Sequence, residues 1–336
     1  MLLIIKEISF KYYLQIMLLL FLFGEVSFAA NTDDNFEIWL KSYKNYALKK
    51  GITQKTLDET FKDVKFLEQV IKYDRKQPEF FEDTNTYVSK RATKQRAKKA
   101  ADLYKKNINL FNEVENKFNV EKRILLALWG IETNYGKHVG KMDIISSLAT
   151  LSFDKRRRDF FSEQLLTLLK LIDQNLINPN TLYGSWAGAY GNFQFMPSTI
   201  INYAIDFDNN NKIELKSPLN DSLASAANYI NKIGWKRGLP CFSRVELTQE
   251  IKKQYINLSA KKISHKLKIS KWKKMGVVFA NPENINNNYK ASLILPDGKL
   301  GTPTFLVYEN YERILKWNRS LRFAISVCTL ANMIKI

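Results

Sequence analysis

The chain has 336 residues, 45% of them hydrophobic, with 52 Lys and Arg against 33 Asp and Glu and a formal net charge of +19. That is the composition of a globular protein with room for two or three structural units, and its two cysteines and two histidines are too few for a disulfide framework or a His-rich metal site. The basic balance favours an anionic partner such as nucleic acid, a phospholipid surface or an acidic polymer, although much of the Lys is interleaved with Asn and Ile, so biased genome composition explains the charge equally well.

Residues 1–29 read as a cleaved secretory signal. Lys6 and Lys11 precede an apolar run over residues 14–24, and Ser27-Phe28-Ala29 supplies small residues before a polar Asn31-Thr32-Asp33-Asp34. The run is short for a membrane span, which makes an uncleaved anchor the runner-up, and no Cys follows to accept a lipid. Lys6 and Lys11 are balanced by Glu7 and Glu25, so the positive charge belongs to the mature protein. Export argues against nucleic acid as the main partner.

Residues 30–125 read as a helical region in which stretches such as Lys90 to Lys99 form a solvated face between apolar positions. From Ile124 the sequence Ile-Leu-Leu-Ala-Leu-Trp-Gly-Ile is apolar nearly all round, as in a helix buried in a core. Glu132 stands at its end, one turn beyond Leu128 and two beyond Ile124, on their inward face. Desolvation there would raise its pKa and make it a proton donor near neutral pH, whereas pairing with Lys137 or Lys141 would make it an ordinary structural acid. Residues 142–176 carry helical spacing that ends at Asn178-Pro179-Asn180. Next comes Tyr183-Gly-Ser-Trp-Ala-Gly-Ala-Tyr-Gly-Asn-Phe-Gln-Phe-Met-Pro-Ser198, whose glycines allow close backbone approach and whose aromatics and amide suit a sugar. Ser185 lacks the Gly-x-Ser-x-Gly frame of a hydrolase elbow, and Pro197 opens a further helix. Asp206, Asp208, Asn210 and Lys212 place oxygen ligands at alternate positions, as a calcium loop does, but Asn211 replaces the turn glycine and Ser217 the bidentate Glu; a plain Asx-rich turn is the competing reading. Between Val245 and Phe305, short apolar runs broken by Asn-Pro, Pro-Asp-Gly and Gly-Thr-Pro read as strands and turns, and helical spacing resumes near Tyr311. Cys241 and Cys328 could join in one disulfide or remain two buried thiols.

Glu132 and the glycine-aromatic stretch together resemble the exported lytic murein transglycosylases of the membrane-bound B type. The resemblance runs in order from about residue 70 to the end through Gly130-Ile-Glu-Thr-Asn-Tyr-Gly136, Leu148-Ala-Thr-Leu-Ser-Phe153, Gly184 to Ser198, Ala226-Ala-Asn-Tyr229, Gly234-Trp235, Gly301-Thr-Pro-Thr-Phe-Leu306 and Asn318-Arg-Ser320. It implies a mainly α (α+β) fold. Residues 126–240 would form a lysozyme-like helical catalytic core, 241–300 a small strand-rich insertion, and 301–336 the return to the core and a final helix. It further implies a periplasmic enzyme that acts on peptidoglycan glycan strands and works beside proteins of cell-wall synthesis or remodelling; the chain itself reads as soluble after signal cleavage, and with no recognised nucleic-acid module beside its charge it is not expected to bind nucleic acid. The reaction implied is cleavage of the bond between N-acetylmuramic acid and N-acetylglucosamine to leave a 1,6-anhydro end. Glu132 matches the single catalytic acid, and Ser185, Gln194, Tyr229, Asn318 and Tyr87 match substrate-binding or supporting positions. Asp221 matches the carboxylate that closes a structural calcium loop, with no cofactor required for the chemistry. Relatives commonly carry Tyr where this chain has Trp317 and Phe323. A hydrolytic muramidase and a non-catalytic peptidoglycan-binding protein are the alternatives.

Overall fold

The computed structural model describes residues 32–76, 82–281 and 286–336; the signal reading of residues 1–29 lies outside them. The chain divides into residues 1–43 and 44–336. Helix α1 (Thr32–Lys49) begins in the first unit, where Trp39 stacks on Phe36 and on Tyr43 at centroid separations of 5.6 and 5.2 Å.

The second unit continues with α2 (Gln54–Thr60), α3 (Glu68–Arg75), α4 (Thr84–Arg91), α5 (Lys94–Lys106) and α6 (Ile108–Phe118). Thr53, Asp83 and Thr93 each accept the N–H three residues on, satisfying an orphan donor of the first turn. The charged stretch from Lys90 to Lys99 is therefore two helices, with the second restarted by the Thr93 cap. Helix α7 (Lys122–Thr133) buries every residue from 124 to 130, as its all-round apolar sequence demands. After it come α8 (Ile144–Phe153), α9 (Arg158–Asp173), α10 (Pro197–Tyr203, with Pro in its first turn) and α11 (Leu219–Lys232). Helices α8 and α9 pack together, and α11 packs on α6.

The strand-rich part is one sheet around its own apolar core. Strands β1 (Met142–Asp143) and β2 (Tyr183–Gly184) pair separately. The sheet comprises β3 (Phe242–Leu247), β4 (Ile256–Asn257), β5 (Leu267–Lys268), β6 (Val277–Phe279), β7 (Lys290–Ile294) and β8 (Thr304–Val307), in the order β4-β7-β8-β3-β6 with β5 also on β7. Helix α12 (Ile269–Lys274) contributes Trp272, which is fully buried among Val245, Leu293 and Leu306 and donates its indole N–H to the Ala291 carbonyl at 2.9 Å. Satisfying that donor keeps the burial favourable. The sheet runs through Val307, just past Phe305 where the strand-and-turn pattern ends in sequence, and past the bound at 300 expected for the insertion. Strand β8 is buried along its whole length between β7 and β3, and a Gly-Thr-Pro turn inside a sheet looks the same in sequence as one at its edge.

Helices α13 (Glu309–Trp317) and α14 (Leu321–Met333) close the unit, and α14 packs on both α7 and α4. Cys241, just before β3, is disulfide-bonded to Cys328 in α14, with Cα atoms 6.1 Å apart. The architecture is mainly α with a small sheet, in keeping with the fold class read from the sequence. Among the described residues no helix is long and apolar enough to cross a membrane.

Candidate active site

Helix α7 ends abruptly, and Glu132 sits at that end. Asn134, Tyr135 and Gly136 take left-handed φ values of 50°, 61° and 78° in succession, which turns the chain back on the helix. Tyr135 folds over Gly130, donates its hydroxyl to the Arg96 carbonyl at 2.8 Å and meets Trp129 edge to face. Asn192, buried in the glycine-aromatic stretch, fastens the other side. Its side-chain oxygen accepts from Trp129 Nε1 at 3.1 Å, its backbone carbonyl accepts from Thr133 Oγ1 at 2.8 Å, and its amide nitrogen donates to the Lys216 carbonyl and to Ser222 Oγ. The residues on either side of Glu132 are thus held by buried hydrogen bonds, each costly to break because its partner would be left unsatisfied.

Trp317 Nε1, at the end of α13, donates to Glu132 Oε1 at 2.8 Å. Glu132 is half-buried, and protein packed around its carboxyl raises the pKa from 4.5 to about 7, an effect partly offset by the Trp317 hydrogen bond. Lys137 and Lys141 are exposed and form no ion pair with it among the described residues.

An aromatic wall carries Trp317. Its ring stacks on Tyr229 at 5.0 Å and meets Phe195 and Phe193 edge to face at 5.3 and 6.2 Å, while Tyr229 stacks in turn on Tyr203 at 4.3 Å. Tyr229 donates its hydroxyl to the Lys316 carbonyl, and burial pushes its pKa to about 12. Asn318 follows directly, its carboxamide without a hydrogen-bond partner among the described residues. Ser185 Oγ accepts the Ala187 and Ala189 amides at 3.3 and 2.9 Å, which fixes the oxygen and leaves the hydroxyl hydrogen to donate elsewhere. Gln194 has φ 51° and spends its amide nitrogen on the Val139 and Gly191 carbonyls, leaving its side-chain oxygen as an acceptor. Tyr87 is buried with the Arg91 guanidinium over its ring at 3.5 Å, a packed position more than a displayed one. Of the residues picked from sequence, the structure joins Tyr229 to Glu132 through Trp317. Sequence reasoning registers Trp317 only as a departure from the family pattern and misses Asn192.

A cavity of about 730 Å³ lies between residues 53–59, 172–181 and 212–217, but Glu132 does not line it. The chemistry, more than the concavity, marks the site.

Asp206, Asp208 and Asp221 bring one carboxylate oxygen each to within 4.8 Å of one another. Asp206 accepts the Asn210 and Asn211 amides, and Asp221 accepts those of Phe207 and Glu214. Asn209 and Asn211 have φ 60° and 66°, the left-handed turn that asparagine tolerates where the familiar loop uses glycine. The Asn210 side-chain oxygen accepts from the Lys212 amide. Burial, with the nearby Asp208 and Asp206 charges, raises the Asp221 pKa. Three hard oxygen donors that repel one another fit a divalent cation such as calcium.

A family model described as the transglycosylase SLT domain matches residues 35–332. Membrane-bound lytic murein transglycosylase B of Escherichia coli (strain K12) is 32% identical over 220 residues, which are 65% of this chain and 58% of that protein, so the chain spans a little over half the length of this curated relative. Among solved structures, SltB3 from Pseudomonas aeruginosa in complex with NAG-anhNAM-pentapeptide matches with a TM-score of 0.81 and 34% identity, covering 89% of this chain and 79% of that one. Escherichia coli lytic transglycosylase Slt35 in complex with calcium matches with a TM-score of 0.73 and 28% identity, covering 92% and 94%. With the family model spanning nearly all of the described residues, the chain belongs to the transglycosylase SLT domain family.

Proposed function

We propose that this protein is a peptidoglycan lytic transglycosylase in which Glu132 is the one acid-base group. The observation that carries the reading is a carboxyl held at the end of a buried helix with its pKa raised to about 7 by burial. A group with that pKa is substantially protonated at neutral pH, as a general acid must be, and is basic enough to take a proton back. Retaining glycosidases set a second carboxylate about 5 to 5.5 Å from the first. Such a neighbour would add charge repulsion at Glu132, whereas the rise here is caused by desolvation. A lone carboxyl suits a reaction in which the sugar brings its own nucleophile.

In that reaction Glu132 gives its proton to the glycosidic oxygen as the bond from C1 of the muramyl residue breaks. The substrate's acetamido group stabilises the positive charge at C1. Glu132, now a carboxylate, removes the proton from the C6 hydroxyl as that oxygen closes on C1, forming the 1,6-anhydro ring and restoring the acid. Water is not consumed. The Ser185 hydroxyl, the Gln194 side-chain oxygen and the Asn318 carboxamide supply donors and acceptors for the sugar, the Tyr229 and Trp317 rings supply an apolar face, and Tyr87 supports the cleft from α4. The similarity to SltB3, which was solved with NAG-anhNAM-pentapeptide bound, supports this substrate class.

Asp206, Asp208, Asn210, the Lys212 carbonyl and Asp221 would hold a calcium ion that ties the loop before α11 together, without entering the chemistry. Adding calcium should raise Tm in the parent and leave it unchanged in Asp221→Asn; equal shifts in both proteins would dismiss the site. We further read the enzyme as periplasmic after removal of residues 1–29, at work beside other wall-remodelling proteins.

Mass spectrometry of digested peptidoglycan tests the activity. Products lighter by one water than reducing-end fragments are expected, and Glu132→Gln should lose at least a thousandfold in kcat. Recovery of reducing ends alone would make the protein a hydrolytic muramidase, and binding without cleavage would make it a wall-binding protein.

A further inference from the structure

We infer that Trp317 is a positioning residue that keeps Glu132 Oε1 an acceptor in both protonation states and so confines the transferable proton to Oε2. The inference rests on the reading of Glu132 as the acid. Indole has one N–H and no acceptor, so at 2.8 Å from Oε1 it can only donate. An ionised carboxylate accepts that bond on either oxygen. A neutral carboxyl has one carbonyl oxygen, the better acceptor, and one hydroxyl; the indole therefore selects the state in which Oε1 is the carbonyl and Oε2 carries hydrogen.

The ring cannot easily turn away. Tyr229 covers one face, Phe195 and Phe193 meet it edge to face, and Tyr229 is anchored by Tyr203 and by its bond to the Lys316 carbonyl. Oε2, by contrast, makes no hydrogen bond among the described residues, yet it is not one of the fully buried polar atoms that lack a partner, so it keeps some accessible surface and is the oxygen left for substrate. The same atom would release the proton to the leaving oxygen and recover one from the C6 hydroxyl. A tyrosine at position 317 could accept as well as donate, and would leave the proton free to sit on either oxygen.

The charged and titratable groups nearest to Glu132 on the elements packed against α7 have partners of their own. From α5, Arg96 binds the Arg91 carbonyl and Lys99 the Asn134 carbonyl; Glu115 of α6 pairs with Lys122, and Lys117 lies over Phe207. Asp221 of α11 accepts backbone amides, and Arg322 of α14 pairs with Asp297. Tyr135 donates to the Arg96 carbonyl. The Trp317 bond is thus the local device that distinguishes the two carboxyl oxygens.

Infrared difference spectra of the whole protein across pH, with the Glu132→Gln protein to assign the carboxyl band, read the proton's place without turnover. Trp317→Phe keeps an aromatic ring and removes the donor. Its carbonyl stretch should move to higher frequency, the basic limb of kcat/KM should rise by about one pH unit, as expected for losing one hydrogen bond to a charged group, and kcat should fall about tenfold with little change in KM. Trp317→Tyr, a second variant should the first fold poorly, should show two carbonyl populations where the parent shows one. A band and a pH limb unchanged from the parent in a folded variant would overturn the inference. Absence of anhydro ends from the parent's digest would instead overturn the reading of the activity, while the band would still report which oxygen holds the proton.

Discussion

Glu132 is a carboxyl whose ionisation the fold opposes, and that has a consequence for stability separate from its proposed role as the acid. Its folded pKa of about 7 lies above the ordinary 4.5, so between those values the native state binds more protons than the unfolded chain. The stabilisation is fully present below about pH 4.5 and is lost as pH rises through 7. Glu132→Gln mimics the neutral form. Its stability should match the parent's near pH 4.5 and exceed it at pH 8, by up to about 3 kcal/mol if the whole shift is realised, which thermal melts at the two pH values read. Equal thermal curves for both proteins at pH 8 would mean that the carboxyl is not desolvated as described. At this scale the sequence was legible for Glu132, because an acid closing an apolar helix is visible in one dimension. It was not legible for Trp317, which lies 185 residues away and whose direction is set by the ring stack with Tyr229. Asn192 was hidden for a similar reason: an Asn among glycines looks like turn chemistry until its four partners are in place.

For the elements, the instructive case is Gly130 within α7. Intrinsic propensity says that Ala should replace it with a gain of about 1 kcal/mol. The packing says otherwise, since a Cβ there would lie 2.6 Å from the Tyr135 hydroxyl oxygen and 2.7 Å from Cζ. Tyr135 has little freedom to yield, with φ at 61°, its hydroxyl on the Arg96 carbonyl and its ring against Trp129. Gly130→Ala should therefore destabilise by about 1 to 3 kcal/mol, the usual cost of overpacking. Activity should fall as well, because Glu132 is two residues further along the same turn. Combining it with Tyr135→Ala should recover part of the loss beyond additivity, which a thermal-melt double-mutant cycle measures. A more stable Gly130→Ala protein would show that the ring simply moves aside. Periodicity identified the helix because its apolar run fills a core, but the close approach that requires glycine depends on a residue that reverses direction after the helix ends.

For the whole molecule, the helical and strand-rich parts could be told apart in the sequence because a change in turn grammar accompanies them. Their linkage could not. Cys241 leads into the sheet and Cys328 lies in α14, the helix that backs α7, and only the folded chain brings their Cα atoms to 6.1 Å across a separation of 87 residues. Closing a loop of that length removes denatured-state freedom equivalent to about 4 to 5 kcal/mol in the chain-entropy model, of which about 2 to 4 is the typical measured gain. Cys328 is almost wholly buried, so a serine in its place would also put a hydroxyl among apolar neighbours, and alanine is the cleaner replacement. The Cys241→Ala, Cys328→Ala protein should melt about 5 to 10 °C below the oxidised parent while keeping its helical circular dichroism. Protein produced in a reducing cytosol should melt near the double variant, and protein exported to an oxidising compartment near the oxidised parent. If both preparations and the double variant melt together, the bridge does not tie the sheet to α14 and the helices it packs on, and the proposed export loses its structural rationale.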